Sequence, residues 1–191
     1  MTAPSESERI TRLPAAEAKE AGTAVGIPEM MGDLAVFQIL LRNPPVAAAL
    51  NGMLTTLLWN GTLDARLREL VIMRIGWKTG SVYEWTQHWR VATQLEVDPA
   101  DILAVRDWQS SARIGPAERA VLAATDETLD TGTISDATWA ACAEHVGADA
   151  QLIELVVAIG NWRLFSSLLR SVRVPLEDGV TPWPPDGTAP A

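Results

Sequence analysis

From residue 43 onward, apolar side chains return every three or four positions, the period of an α-helix packed on one side. Asn43-Pro44-Pro45 places a capping residue ahead of two prolines suited to a first turn, and the spacing predicts a helix from Val46 to Trp59, ended by Asn60-Gly61. A second helix is predicted over Leu63 to Lys78, with Leu67, Leu70, Val71 and Arg74 at helical spacing and Gly80 as its stop. Ser81 opens a third, through about Leu95. Asp98-Pro99 starts a short one to about Trp108, and Gly115-Pro116 another to about Leu129. After the Thr131-Gly132 break, Ser135 caps a helix holding Trp139 and Cys142, stopped by Gly147. The last begins at Asp149 or Ala150 and runs to about Ser171, apolar at Leu152, Leu155, Val156, Ile159, Leu164 and Leu168. No segment alternates with period two, so the expected fold class is all-α.

The ends break this pattern. Residues 1–13 are polar and are expected to fray, residues 14–173 to form one helical domain, and residues 174–191 a Pro-rich extended tail. Within that tail Pro182-Trp183-Pro184-Pro185 cannot continue a helix, and Trp183 is expected to pack on the body or on a neighbouring subunit.

Composition narrows the function classes. A net charge of −9 with no cluster of Lys or Arg argues against nucleic acid and anionic membranes as partners. The N-terminus lacks the apolar core of a signal peptide, and the apolar run Leu152 to Gly160 is interrupted by Glu154. The expected location is cytoplasmic. Cys142 is the single cysteine, which excludes an intrachain disulfide framework and fits a small buried hydrophobe.

Only two histidines are present. His145 sits near a helix C-terminus, where a cation favours the helix dipole and no chemistry is needed. His88 lies mid-helix, four residues after Glu84, so the two side chains share a face beside a stripe of Trp85 and Trp89. Burial against indoles raises a carboxyl's proton affinity, and a paired imidazole is held in one orientation, the makings of an acid–base pair. The structural alternative is a capping box, Ser81-x-x-Glu84, with His88 a packing residue.

The stretch Asp64 to His88, with Glu69, Ser81, Glu84 and His88 at fixed spacing, resembles the carboxymuconolactone decarboxylase family of the alkylhydroperoxidase D-like superfamily. The resemblance continues through Thr133 to Trp139 and Leu155 to Leu169, and ends with Val174 to Glu177. The peroxidase branch carries Glu, then Cys-x-x-Cys, then His; laid on this chain, its Glu falls at Glu69, its cysteines at Ser81 and Glu84, and its His at His88. Thiol peroxidase chemistry, which needs an attacking and a resolving thiol, is therefore the least expected activity. The resemblance to the branch without the cysteine pair implies a helical bundle whose central hairpin carries the site. It also implies homo-oligomers, commonly trimers or hexamers with a dimer as a further option, and acid–base chemistry without metal or organic cofactor.

On that reading the chain is a cofactor-independent lyase, a decarboxylase, or an isomerase acting on a small organic acid, lactone or aromatic-derived carbonyl compound. His88 is the expected general acid–base, Glu84 its partner and Glu69 its orienting group. Ser81, Arg74, Trp85 and Trp89 are the expected substrate contacts. The alternative is a non-catalytic ligand-binding member of the family.

Overall fold

The structure, a computed structural model, describes residues 8–190. Among them every regular element is helical. Contacts group the described residues into two compact units, 8–59 with 167–180 and 60–166 with 181–190.

The first unit holds α1 (Ala15–Ala24), a 3₁₀ turn, α2 (Ala35–Leu40) and α3 (Pro44–Thr55). The face that α1 buries is made of Ala18 and Gly22, too small to register as an apolar stripe, which is why the period argument passes over it. Glycine at 26 adopts φ +78°, and the Ile27 N–H returns to the Gly22 carbonyl to close the helix. In α2, Val36, Phe37, Ile39 and Leu40 are all buried. Its first turn is satisfied from far along the chain: Glu177 accepts from the Ala35 N–H at 3.0 Å.

Two expectations change in this unit. Asn43 makes no side-chain capping bond, and the α-helix that the two prolines begin ends at Thr55, with a π turn over Thr56–Asn60. The frayed N-terminus, residues 1–13, lies partly outside the described residues. Its described part is held: the Arg9 N–H donates to the Val172 carbonyl and the Leu13 N–H to that of Gln38.

The second unit holds α4 (Ala65–Thr79), α5 (Val82–Gln94), α6 (Pro99–Ala104), α7 (Pro116–Thr131), α8 (Asp136–His145) and most of α9 (Asp149–Val172), whose last residues belong to the first unit. Helix α4 is central, packed between α5 and α7. Asp64 caps it through the Leu67 N–H, and the ten consecutive residues from Leu67 to Gly76 are buried on all sides. Helix α9 has the length and apolarity of a membrane-crossing helix, but half of its most apolar stretch is buried within the protein, as in a core helix. Glu154 breaks the apolar run of that helix for a structural reason: its carboxylate accepts from the backbone N–H groups of Thr62 and Leu63, just ahead of α4.

The tail packs on its own chain. The Trp183 N–H donates to the Thr86 hydroxyl, the Pro184 carbonyl accepts the Trp85 indole N–H at 2.7 Å, and Asp186 pairs with Arg106.

Candidate active site

Helices α4 and α5 form the hairpin that the sequence pointed to, and its turn is only two residues long. Glycine at 80 takes φ +67°, the Ser81 N–H reaches back to the Gly76 carbonyl and the Gly80 N–H to that of Trp77. Gly76 sets how closely the arms approach: a Cβ there would stand 3.0 Å from the Trp85 nitrogen and 3.4 Å from the Glu84 Cβ. This brings Glu69 of α4 opposite Glu84 and His88 of α5.

His88 is the centre of the cluster. Its Nδ1 lies 2.7 Å from Glu69 Oε2, and its Nε2 lies 3.5 Å from Glu84 Oε2. Arg68 donates from Nε to the other oxygen of Glu69 at 3.2 Å. From α9, the Trp162 indole N–H donates to His88 Nε2 at 3.2 Å, with the two rings edge to face. One turn further along α9, the Ser166 hydroxyl bonds that of Thr79 at 2.6 Å, which ties α9 to the end of α4.

Burial dominates the electrostatics. Glu84 is driven up to about 7, chiefly by desolvation, with His88 pulling it down and Glu69 adding to the rise. For His88, burial is the largest influence and lowers the proton affinity. The charge and hydrogen bond of Glu69, with the charge of Glu84, outweigh it and leave His88 raised. An imidazole between two carboxyl groups, one of them titrating near neutrality, can accept and deliver a proton near pH 7.

The capping box fails: Ser81 makes no side-chain cap bond, and its hydroxyl is buried with no hydrogen-bond partner. Glu84 is thus turned toward His88 rather than toward the start of its own helix.

Arg74 is not at the site. It makes a two-pronged bond to Asp126 at 2.7 and 2.8 Å and donates to the carbonyls of Val105 and Arg106, pinning α4 to α7 and to the segment after α6. Trp85 and Trp89 do not wall the imidazole either. Trp85 is fully buried among Trp77, Trp89 and Trp183, under the tail, and the indole that touches His88 is Trp162. Cys142 is buried on α8 and its thiol is pushed up to about 11 by desolvation, so no thiolate is available. His145 sits at the end of α8 with Glu144 beside it.

Sequence reasoning missed Arg68 and Trp162. Arg68 had a signal, a charge inside a ten-residue buried run that must find a partner. Trp162 had none, because nothing local connects residue 162 to residue 88.

The geometry defines an all-helical protein of the alkylhydroperoxidase D-like fold with a carboxyl–imidazole site in its central hairpin. The sequence profile of the carboxymuconolactone decarboxylase family matches residues 44–127, the span that holds Glu69, Ser81, Glu84 and His88. No curated protein matches in sequence. Among solved structures, the debrominase Bmp8 in complex with 2,3,4-tribromopyrrole superposes with a TM-score of 0.75 at 18% identity, over 92% of this chain and 95% of that one. An uncharacterised peroxidase-related protein from Ralstonia eutropha, described as an alkylhydroperoxidase AhpD core, gives 0.74 at 16% identity, covering 98% and 100%. A peroxidase-related protein from Silicibacter gives 0.70 at 15%, covering 94% and 97%. At these identities the likeness is one of fold.

Proposed function

We propose that this chain is a proton-transfer enzyme of the carboxymuconolactone decarboxylase type, acting without a cofactor on a small organic acid, lactone or related carbonyl compound. The observation that carries the reading is the placement of His88 between Glu69 and Glu84, with Glu84 near neutrality. Loss of carbon dioxide, or of a proton beside a carbonyl, leaves an enolate that needs a proton donor and a charge-stabilising partner. His88 moves the proton, Glu84 is the second station, and Glu69 with Arg68 behind it orients the ring. Ser81, whose buried hydroxyl has no protein partner, is the group proposed to meet a substrate oxygen. Arg74, Trp85 and Trp89 have no place in this mechanism.

The non-catalytic reading, in which Glu84 caps its helix, loses support because Glu84 lies against His88 and Ser81 caps nothing. A thiol mechanism has no thiol at residues 81 and 84.

A panel of lactones, β-keto acids and unsaturated acids, followed for carbon dioxide release and for deuterium uptake from solvent, tests the proposal. Turnover should fall about 100-fold or more in His88→Gln and Glu84→Gln. Full turnover in folded His88→Gln would end it.

The homo-oligomer and the cytoplasmic location are likewise proposals. Support for the oligomer comes from Ile153, Val157 and Leu164, apolar and exposed along one side of α9. Analytical ultracentrifugation of wild type against Ile153→Glu should show the assembly weakened.

A further inference from the structure

Four groups face the imidazole of His88: Arg68, through Glu69, and Glu69 itself from α4, Glu84 from α5 and Trp162 from α9. Three of these are charged or chargeable. Trp162 is neutral, and its indole N–H can only donate.

A donor-only group aimed at a ring nitrogen stabilises the form in which that nitrogen keeps its lone pair. With the Trp162 N–H on Nε2 at 3.2 Å, the ring's proton belongs on Nδ1, facing Glu69 Oε2 at 2.7 Å. A proton arriving at Nε2 would set two N–H groups against each other. Trp162 therefore opposes the charged ring, while the two carboxyl groups favour it. The bond between Thr79 and Ser166 fixes α9 beside the hairpin, so the indole cannot simply drift away.

We propose that Trp162 is a positioning residue that holds His88 in its Nδ1–H form, with Nε2 as the base, and that its own N–H is released when Nε2 takes a proton. The geometry of the pair stands by itself; its chemical use rests on the proton-transfer reading. In that use, a substrate C–H bond breaks, its electron pair stays on the substrate as an enolate, and the proton forms an N–H bond at Nε2. The Trp162 N–H, left without an acceptor, then donates to the enolate oxygen, so that arrival of the proton and appearance of the donor are one event.

Nitrogen-15 NMR of the full chain tests this without a substrate. In the wild type the Trp162 indole proton should move with the same pH midpoint as the His88 ring nitrogens, losing its hydrogen-bonded shift as the ring gains its proton. In Trp162→Phe, which keeps a ring and removes the donor, the His88 midpoint should rise by about half a pH unit or more. On the alkaline side of that midpoint the neutral ring should also become a mixture of tautomers. An indole resonance indifferent to the His88 titration overturns the proposal, as does an unchanged midpoint in a folded Trp162→Phe. Should that variant not fold, the wild-type titration decides alone. Linked titrations together with undiminished turnover in His88→Gln would instead retire the proton-transfer reading and leave the pair intact.

Discussion

His88 Nδ1 stands 2.7 Å from Glu69 Oε2, across two helices that a two-residue turn and the bare face of Gly76 hold together. Because Glu69 is the main group raising the proton affinity of His88 against burial, Glu69→Gln keeps a hydrogen bond but removes the charge. The His88 midpoint should then fall by on the order of one to two pH units, read by NMR. No fall would mean the contact does not persist in solution.

Stability should depend on pH with a definite sign. Glu84 is raised from 4.5 to about 7, so the native state holds a proton that the unfolded chain releases earlier. Its contribution is fully present below about pH 4.5 and is lost as pH rises through about 7. His88, also raised, acts in the same direction at the upper end. Urea midpoints measured between pH 5 and 8 should decline with pH, and Glu84→Gln should flatten the decline.

Arg74 separates packing from chemistry. Its paired bond to Asp126 is mostly buried, and Arg74→Met leaves that carboxylate with Lys78 at 3.5 Å and the Trp108 indole N–H at 3.1 Å. Because those contacts remain, the expected cost is about 3 kcal/mol in denaturant unfolding, the low end for a broken buried pair, with the His88 titration unmoved. A variant of full stability that binds a carboxylate ligand less well would restore Arg74 as a substrate contact.

Gly76→Ala should destabilise by about 1–3 kcal/mol, since the new methyl meets the Trp85 backbone nitrogen at 3.0 Å and one arm of the hairpin must shift. The same shift moves Glu84, so the titration of His88 should change with it.

The Cys142 thiol is buried and pushed up to about 11. A thiol-reactive disulfide should leave it unmodified in the native protein for as long as the fold stays closed and label it at once in denaturant. Rapid native labelling would contradict the packing of α8 on α7.

What the sequence made legible was set by how local each cause is. Helices with large apolar stripes and strong punctuation, such as α4 between Asp64 and Gly80, could be read from neighbouring residues. Helix α1 could not, because Ala18 and Gly22 bury a face without a large side chain. The same divide runs through the site. Glu84 and His88 share a helix face, so their spacing placed them together, and the family's pattern added Glu69. Arg74 had the right spacing and the wrong partner, since Asp126 lies 52 residues away. Trp85 lies under the tail and Trp89 stacks on Trp85, an arrangement that depends on where Trp183 returns. Trp162 reaches His88 from 74 residues away, a relationship that only the folded chain contains.

The central claim is that Glu84 and His88 form one coupled proton-transfer pair. It is tested most directly by following the His88 ring nitrogens against pH in wild type and in Glu84→Gln. The account predicts a wild-type midpoint above the ordinary 6.5, with a second inflection near 7 from Glu84, and a lower midpoint with no second inflection in the variant. A single transition at 6.5 that Glu84→Gln leaves unchanged would contradict it.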